Sequence, residues 1–361
     1  MDKNTFSVIM AGGIGSRFWP MSKTTYPKQF LDILGTGRTL IQMTYDRFLK
    51  ICPKENILIV TNTQYKPLVL EQLPELNENQ ILCEPSRRNT APCVAYATHK
   101  INAINPDANI VVAPSDHLIL KEDVFVGTIS KAIQQANETE CLVTLGIKPS
   151  RPDTGYGYIQ FEEAETFDSS VKKVKTFTEK PNHELAVKFI ESGDFYWNSG
   201  IFIWTAKNIT KSLEAHLPDM NSLFAKGISD YNTDNEASFI EDIYAVCTNI
   251  SIDYGIMEKA ENVFVVLADF GWSDLGTWGS LYTHLTPDEN NNAIVGENVR
   301  MYDSKDCLVN SDNDKLVVLQ GLEDYIVVDT EKTLLVVRKH DEQKIKQFVN
   351  DLKTYKLDEF V

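Results

Sequence analysis

The apolar run Phe6 to Met10 breaks into Ala11-Gly12-Gly13-Ile14-Gly15-Ser16-Arg17, and the excursion closes at Tyr26-Pro27-Lys28-Gln29-Phe30. A buried strand followed at once by three glycines lets the backbone turn back sharply and bring peptide N–H groups close to an anion. Arg17 and Lys28 add fixed positive charge, while Pro20 and Pro27 stiffen the loop that presents them. Two other glycine loops do not fit. The dinucleotide fingerprint needs a third glycine where Phe18 stands, and a P-loop lysine directly follows a glycine, whereas Lys28 lies thirteen residues beyond Gly15. Gly12, Gly13, Gly15, Ser16, Arg17 and Lys28 are therefore expected to cradle a triphosphate.

Length and charge narrow the class and the partners. At 361 residues the chain exceeds the size at which a single core usually stops growing, so a large domain with a smaller companion is expected. A formal charge of −16 argues against a nucleic-acid partner, which needs clustered Lys and Arg, so the cradle's positive charge has to act inside a cleft. Cys52, Cys83, Cys93, Cys141, Cys247 and Cys307 form no C-x-x-C pair and suggest neither a zinc site nor a disulfide framework. No apolar stretch approaches the roughly 18 residues of a membrane span, and the N-terminus carries no basic region or cleavage site. A chain without membrane contact, located in the cytoplasm, is the expectation.

Strand-like runs at Ile57 to Val60, Asn109 to Val112 and Leu142 to Leu145 read as buried on both faces, with helical segments near Ala91 to Ile104 and Val124 to Ala136 between them. That is the βαβ rhythm of a parallel sheet covered by helices. After Gly155 the runs become more alternating, at Tyr156 to Phe161 and Val171 to Glu179, which predicts antiparallel strands added to the parallel half. The polar segment 286–292 reads as a linker, dividing the chain into residues 1–286 and 293–361. Beyond it, short runs at Leu308, Leu316 to Leu319, Tyr325 to Val328 and Leu334 to Val337 recur every eight to ten residues, as in a small all-β coil or sandwich. Ile345, Phe348, Val349 and Leu352 then give a last helix one apolar face, for docking or for a homodimer through the C-terminal region.

Beside the cradle the chain carries Glu84-Pro85-Ser86-Arg87-Arg88-Asn89-Thr90-Ala91-Pro92, Pro114-Ser115-Asp116-His117, Thr154-Gly155-Tyr156-Gly157-Tyr158-Ile159 and Phe177-Thr178-Glu179-Lys180-Pro181. Trp197-Asn198-Ser199-Gly200-Ile201-Phe202, Ser251-Ile252-Asp253-Tyr254-Gly255-Ile256-Met257-Glu258-Lys259 and Gly271-Trp272-Ser273-Asp274-Leu275-Gly276-Thr277-Trp278 follow. In this order the motifs resemble those of the sugar-1-phosphate nucleotidyltransferases, and among them the mannose-1-phosphate guanylyltransferases that make GDP-mannose. The resemblance covers nearly the whole chain. It implies an α/β fold with a Rossmann-like mixed, mainly parallel sheet of the nucleotide-diphospho-sugar transferase type, and a small C-terminal β domain, with a short left-handed β-helix as one form, ending in a helix. Some members add a cupin-type isomerase domain, for which this chain is expected to be too short. Thr178 stands where members of the family can have valine, on the side of its strand expected to face away from the site.

The resemblance also implies roles and substrates. GTP and mannose 1-phosphate are the expected partners, with Arg17 and Lys28 on the triphosphate and Lys180 on the sugar phosphate. Asp116 and Asp274 are the expected ligands of Mg²⁺, a hard cation that takes one or two carboxylates plus substrate phosphates; as an alternative, either aspartate caps a helix. Glu179 and Asn198 would bind mannose hydroxyls, and Gly157 would let the backbone approach the hexose. Glu84 would accept the paired N1–H and N2 donors of guanine, helped by Asn89 and the backbone near Thr90, with Arg87 and Arg88 facing phosphate or solvent. Trp197, Trp272 and Trp278 either wall the pocket or belong to the core, and His117 is read as structural. Two rivals stay open: a relative acting on another base or hexose, and a non-catalytic sensor of sugar nucleotides.

Overall fold

A computed structural model describes residues 2–163, 170–311 and 314–361. The chain forms two compact units: one from Met1–Gly12, Thr44–Ser115 and Ile119–Trp272, the other from Gly13–Met43, Asp116–Leu118 and Ser273–Val361. The polar segment 286–292 lies inside the second unit.

The first unit is built on a nine-stranded sheet. Its strands are β1 (Thr5–Met10), β2 (Ile57–Asn62), β3 (Ile81–Glu84), β4 (Asn109–Pro114), β5 (Leu142–Ile147), β6 (Tyr158–Phe161), β7 (Val171–Thr178), β8 (Phe195–Thr205) and β9 (Val263–Ala268). They run in the order β3-β2-β1-β4-β8-β5-β9-β7-β6. β1 to β4 pair in parallel, as do β5 and β9. Strands covered by helices on both sides can be apolar throughout, and β1, β4 and β5 are buried along nearly their whole length. The expected helices run Thr90–Asn102 and Glu122–Thr139, each longer at its start than the apolar periodicity alone indicates. Asn89 caps the first, and Glu122 and Asp123 complement the dipole of the second.

The antiparallel part centres on β8, which the alternation after Gly155 does not single out. Its second half pairs with β4 and β5 at once, Val111 and Val143 both opposite Ile203, and Ile201 to Trp204 are buried at every position, so both faces lie in the core and the segment reads as a continuous apolar run. Its first half pairs with β6 through Trp197 opposite Tyr158. Between the halves the register slips: Thr144 faces Phe202, but Gly146 faces Asn198. Such an irregularity re-aims a side chain, and here it fixes Asn198.

In the second unit, β10 (Ala293–Val295), β12 (Leu308–Asn310) and β14 (Tyr325–Asp329) stack in parallel, while β11 (Val299–Tyr302) stacks in parallel on β13 (Val317–Gln320). β15 (Leu334–Arg338) closes the ladder antiparallel to β14. Successive runs thus alternate between two ladders, so the spacing of eight to ten residues is half a turn of a coil. Val299, Cys307, Val309 and Val327 fill its interior. The last helix, Ile345–Thr354, buries Ile345 and Val349 in a core shared with Phe18, Trp19 and Trp278 of the same unit. Of the two uses expected for its apolar face, docking and dimerisation, the fold shows docking within this unit.

All six cysteines are free. Among the described residues, no helix is long and apolar enough to cross a membrane.

Candidate active site

Three clusters of side chains emerge, one in the second unit and two in the first. In the second unit the glycine loop turns its carbonyls inward. Gln29 Nε2 donates to the Gly13 carbonyl at 3.0 Å, Ser22 Oγ to that of Ile14 at 2.6 Å, and Phe18 N to that of Gly15 at 3.0 Å. A trans peptide points its N–H away from its C=O, so the N–H groups of Ile14, Gly15 and Ser16 face the other way. Gly15 has φ 67°, and a Cβ there would run into the Cβ of Lys28. Only glycine satisfies both demands.

A cavity of roughly 290 Å³ is lined by Ser16, Arg17, Lys28, Asp116, Asp274 and Lys346, with His117 beside them. Lys28 is buried, with Nζ 2.8 Å from Asp116 Oδ2 and donating to the carbonyls of Asp274 at 2.8 Å and Leu275 at 3.1 Å. Its three N–H donors are thereby engaged within the chain. Burial is the largest single influence on Asp116 and would raise its pKa, but the charge and hydrogen bond of Lys28, with His117 beside them, together outweigh it and hold this carboxyl below the usual carboxylate range. Asp274 Oδ1 accepts from Gly276 N at 2.9 Å. Leu275, next in the chain, is fully buried at φ 44°, a conformation that branched side chains adopt only when the surroundings impose it. Neither aspartate caps a helix in this structure. Arg17 donates to the Gly276 carbonyl at 3.4 Å, and its Nε is buried without a partner.

The second cluster surrounds Glu84 at the end of β3. Its Oε1 accepts from Tyr244 Oη at 2.8 Å, while Oε2 lies where a Cβ on Gly12 would come to 3.5 Å. Burial pushes the Glu84 carboxyl up to about 7. One of the two acceptors expected for guanine is thus shared with a tyrosine. Asn89 Oδ1 caps the helix Thr90–Asn102 through Thr90 N, and Asn89 itself sits at φ 68° and ψ −166°, a region almost confined to glycine. Thr90 Oγ1 accepts from Ile252 N at 2.9 Å. Of the two arginines expected to face phosphate or solvent, Arg87 is exposed and bonds Tyr65 Oη at 2.8 Å, and Arg88 Nε bonds the Tyr244 carbonyl at 3.0 Å.

In the third cluster, Glu179 and Lys180 lie just past the end of β7 rather than within it, and they form an ion pair with each other. Lys180 has φ 49°. A Cβ on Gly157 would come within 2.5 Å of Glu179 Oε2, so this glycine makes room for that carboxylate. Asn198 is also more committed than expected. Its Nδ2 donates to Asp253 Oδ1 at 2.9 Å, and its Oδ1 accepts from Thr144 Oγ1 and Gly200 N, each at 3.1 Å. Burial, reinforced by the Glu179 charge, raises the Asp253 carboxyl to about 6. Tyr156 packs edge-on against Trp197 and Trp272, whereas Trp278 is fully buried in the core of the second unit.

Sequence reasoning assigned no role to Tyr244, Asp253 or Lys346. Asp253 stands in the Ser251-Ile252-Asp253-Tyr254 motif, and its local signal is the single π-type turn Asp253–Met257. Tyr244 and Lys346 lie on helices with no local motif. Among the described residues, no three His, Cys, Asp or Glu side chains gather as a metal cage.

Comparison with known proteins identifies the family. Residues 6–291 match the nucleotidyl transferase family, and residues 296–352 match the mannose-phosphate isomerase/GMP-like β-helix domain. A mannose-1-phosphate guanylyltransferase of Klebsiella pneumoniae is 38% identical over 98% of this chain and 75% of its own length. The alginate biosynthesis protein AlgA of Pseudomonas aeruginosa is 37% identical over 96% of this chain and 71% of its own length. A crystal structure from Thermus thermophilus, described as a mannose-1-phosphate geranyltransferase, superposes with a TM-score of 0.86 at 29% identity, covering 97% of this chain and 99% of that one. With a glycine cradle, two carboxylates and a trailing β-coil on one chain, it belongs to the nucleotidyl transferase family, within the group of mannose-1-phosphate guanylyltransferases.

Proposed function

We propose that this chain transfers GMP from GTP to mannose 1-phosphate, releasing GDP-mannose and pyrophosphate. The observation that carries the reading is the cavity in which a glycine loop, Arg17 and the Lys28-tethered pair Asp116 and Asp274 meet. A phosphate oxygen of mannose 1-phosphate attacks the α-phosphorus of GTP. As that P–O bond forms, the bond from the α-phosphorus to its bridging oxygen breaks, and the electron pair leaves with pyrophosphate. The attacking oxygen is already charged at neutral pH, so no nucleophilic side chain is needed. The requirement is cancellation of repulsion between two anions.

Arg17 and the N–H groups of Ile14 to Ser16 would hold the triphosphate, and Lys28 would keep Asp116 ionised and oriented. Asp116 and Asp274 line one cavity, which fits Mg²⁺, since that ion takes one or two carboxylates and completes its shell with phosphate oxygens and water. Bound there, Mg²⁺ would supply Lewis-acid charge stabilisation. Glu84, with Asn89 and Thr90, would read guanine. Lys180 would take the phosphate of mannose 1-phosphate, and Glu179, set by Gly157, with Asp253, set by Asn198, would bind its hydroxyls. A cytoplasmic location belongs to the same reading, because GTP is drawn from that compartment.

The test is a matrix of nucleoside triphosphates against sugar 1-phosphates, scored by pyrophosphate release. GTP with mannose 1-phosphate should give the highest kcat/KM. A maximum at another pair would replace the substrate assignment, and no turnover with any pair would favour the sensor.

A further inference from the structure

Within the first unit, Glu84 has a partner from a distant helix. It is buried at the end of β3, and its Oε1 accepts from Tyr244 Oη at 2.8 Å. Oε2, beside Gly12, accepts no hydrogen bond among the described residues. Tyr244 is itself fully buried, with its ring edge-on to Phe224. Its helix, Glu236–Val246, is pinned at both ends: Glu236 holds Lys100 Nζ and Tyr96 Oη, and the Tyr244 carbonyl accepts from Arg88 Nε at 3.0 Å. The hydroxyl therefore meets Glu84 at a fixed point. It meets it as a donor, since burial and then the Glu84 charge push this phenol well above its ordinary pKa.

The two protonation states of Glu84 suit different bases. A carboxylate offers two acceptors, which match the N1–H and N2 amino donors of guanine. A protonated carboxyl offers one acceptor and one donor, which match the N6 amino group and the N1 lone pair of adenine. A phenol donating to Oε1 favours the charged form. The other titratable groups facing Glu84 are Arg87 in its own loop, Cys93 on the helix Thr90–Asn102, and Cys247 just past the helix of Tyr244. Burial holds both thiols above their usual range, so neither brings a negative charge. Arg87 also favours the carboxylate, but it is exposed and screened by solvent.

We propose that Tyr244 is a positioning residue that sets base selectivity: by donating to Glu84 Oε1 it keeps this side chain oriented and acceptor-only, which admits guanine and turns adenine away. This inference rests on the reading of Glu84 as the residue that binds guanine.

The test measures displacement of a fluorescent GTP analogue by GTP and by ATP, on the full chain, from about pH 6 to about pH 8.5. Wild type is compared with Tyr244→Phe, Glu84→Gln, the double variant and Tyr231→Phe. Tyr244→Phe keeps the ring packed on Phe224 and removes the donor alone. Tyr231 Oη donates to the Phe224 carbonyl at 2.8 Å, so Tyr231→Phe removes a second buried phenol bond that does not reach Glu84. Tyr244→Phe should cut the preference for GTP over ATP about tenfold at about pH 6 but less than about twofold at about pH 8.5, because losing the bond moves the acid limb of Glu84 up by about one pH unit. A structural role alone would lower the preference equally at both. In the Glu84→Gln background the same substitution should change the preference by less than about twofold, and Tyr231→Phe should match wild type. A preference that Tyr244→Phe leaves unchanged, or lowers equally at both pH values, overturns the proposal. If Glu84→Gln keeps the full preference of wild type, base reading at Glu84 fails and the role of Tyr244 falls with it. If Glu84→Gln loses the preference while Tyr244→Phe retains it, the assignment of Tyr244 alone is wrong.

Discussion

Lys28 Nζ lies 2.8 Å from Asp116 Oδ2 and at the same distance from the Asp274 carbonyl, so one buried lysine ties together the two candidate metal ligands. A lysine of this kind acts mainly through the groups it positions. Lys28→Met should leave Asp116 without its counter-ion and cost roughly 1–3 kcal/mol of stability, the penalty for a buried polar group left unpaired. The double variant Lys28→Met with Asp116→Asn should recover most of that stability but not the activity. Thermal melts and pyrophosphate release on the four proteins of the cycle check this. Additive losses in both would show that the two residues act independently.

The same pair sets an acid limit. The pKa of Asp116 is depressed in the folded chain, so its contribution to stability is present above the ordinary value of 3.8 and is lost as pH falls through the depressed folded value. Wild type should therefore lose stability relative to Lys28→Met with Asp116→Asn as pH drops below about 4. Urea unfolding between neutral pH and pH 3 would reveal it, and parallel curves for the two proteins would contradict it.

Metal dependence offers a separate check. Asp274→Ala should lower kcat by about a hundredfold or more, because metal-assisted charge stabilisation is worth several kcal/mol. Chelation should abolish pyrophosphate release by wild type, with Mg²⁺ restoring it. Full turnover in excess chelator would remove the metal from the mechanism.

Much of this was legible in the sequence, and the rest was hidden for physical reasons. The doubly buried strands β1, β2, β4 and β5 announce themselves as apolar runs, and the cradle announces itself because Gly15 has no substitute beside Lys28. The strand β8 was obscured because it changes from one-sided to two-sided burial partway along. Side-chain partners were the least visible. Residues 246 positions apart, as in the bond from Lys28 to the Asp274 carbonyl, leave no local trace, nor does the Tyr244 hydroxyl on Glu84 from 160 positions away. The resemblance and the chemistry of an amide point Asn198 at a sugar, but neither reveals that this amide already bonds Asp253, Thr144 and Gly200.

The Glu84 carboxyl, raised by burial to about 7, predicts a pH-dependent choice of base. As the anion it accepts the guanine donors; once protonated it loses an acceptor. GTP affinity should therefore fall as pH drops through about 7, and Glu84→Gln should flatten the profile while weakening GTP by about 1–3 kcal/mol with little effect on ATP. Stability runs in the opposite sense. A carboxyl with a raised folded pKa favours the fold at low pH, and this contribution disappears as pH rises from 4.5 through about 7. Identical pH profiles of GTP binding for wild type and Glu84→Gln would place base reading elsewhere.

The sugar cluster can be separated from the nucleotide by kinetics. A Cβ at position 157 would come within 2.5 Å of Glu179 Oε2, so Gly157→Ala should push that carboxylate aside and disturb its pair with Lys180. Asp253→Asn should remove the acceptor that holds the Asn198 amide and lower the negative charge facing Glu179. Lys180→Ala should remove the cation from the sugar phosphate. All three variants should raise the KM for mannose 1-phosphate by about tenfold or more while leaving that for GTP within about twofold, because each loses binding on one substrate only. Lys180→Ala should also slow kcat, since its charge opposes repulsion that peaks as the two phosphates meet. Asp253→Asn should do so less, because a hydroxyl contact is felt about equally in the ground and transition states. If Lys180→Ala raised the KM for GTP alone, its phosphate would be that of the nucleotide, and the cluster around Glu179 would need another ligand.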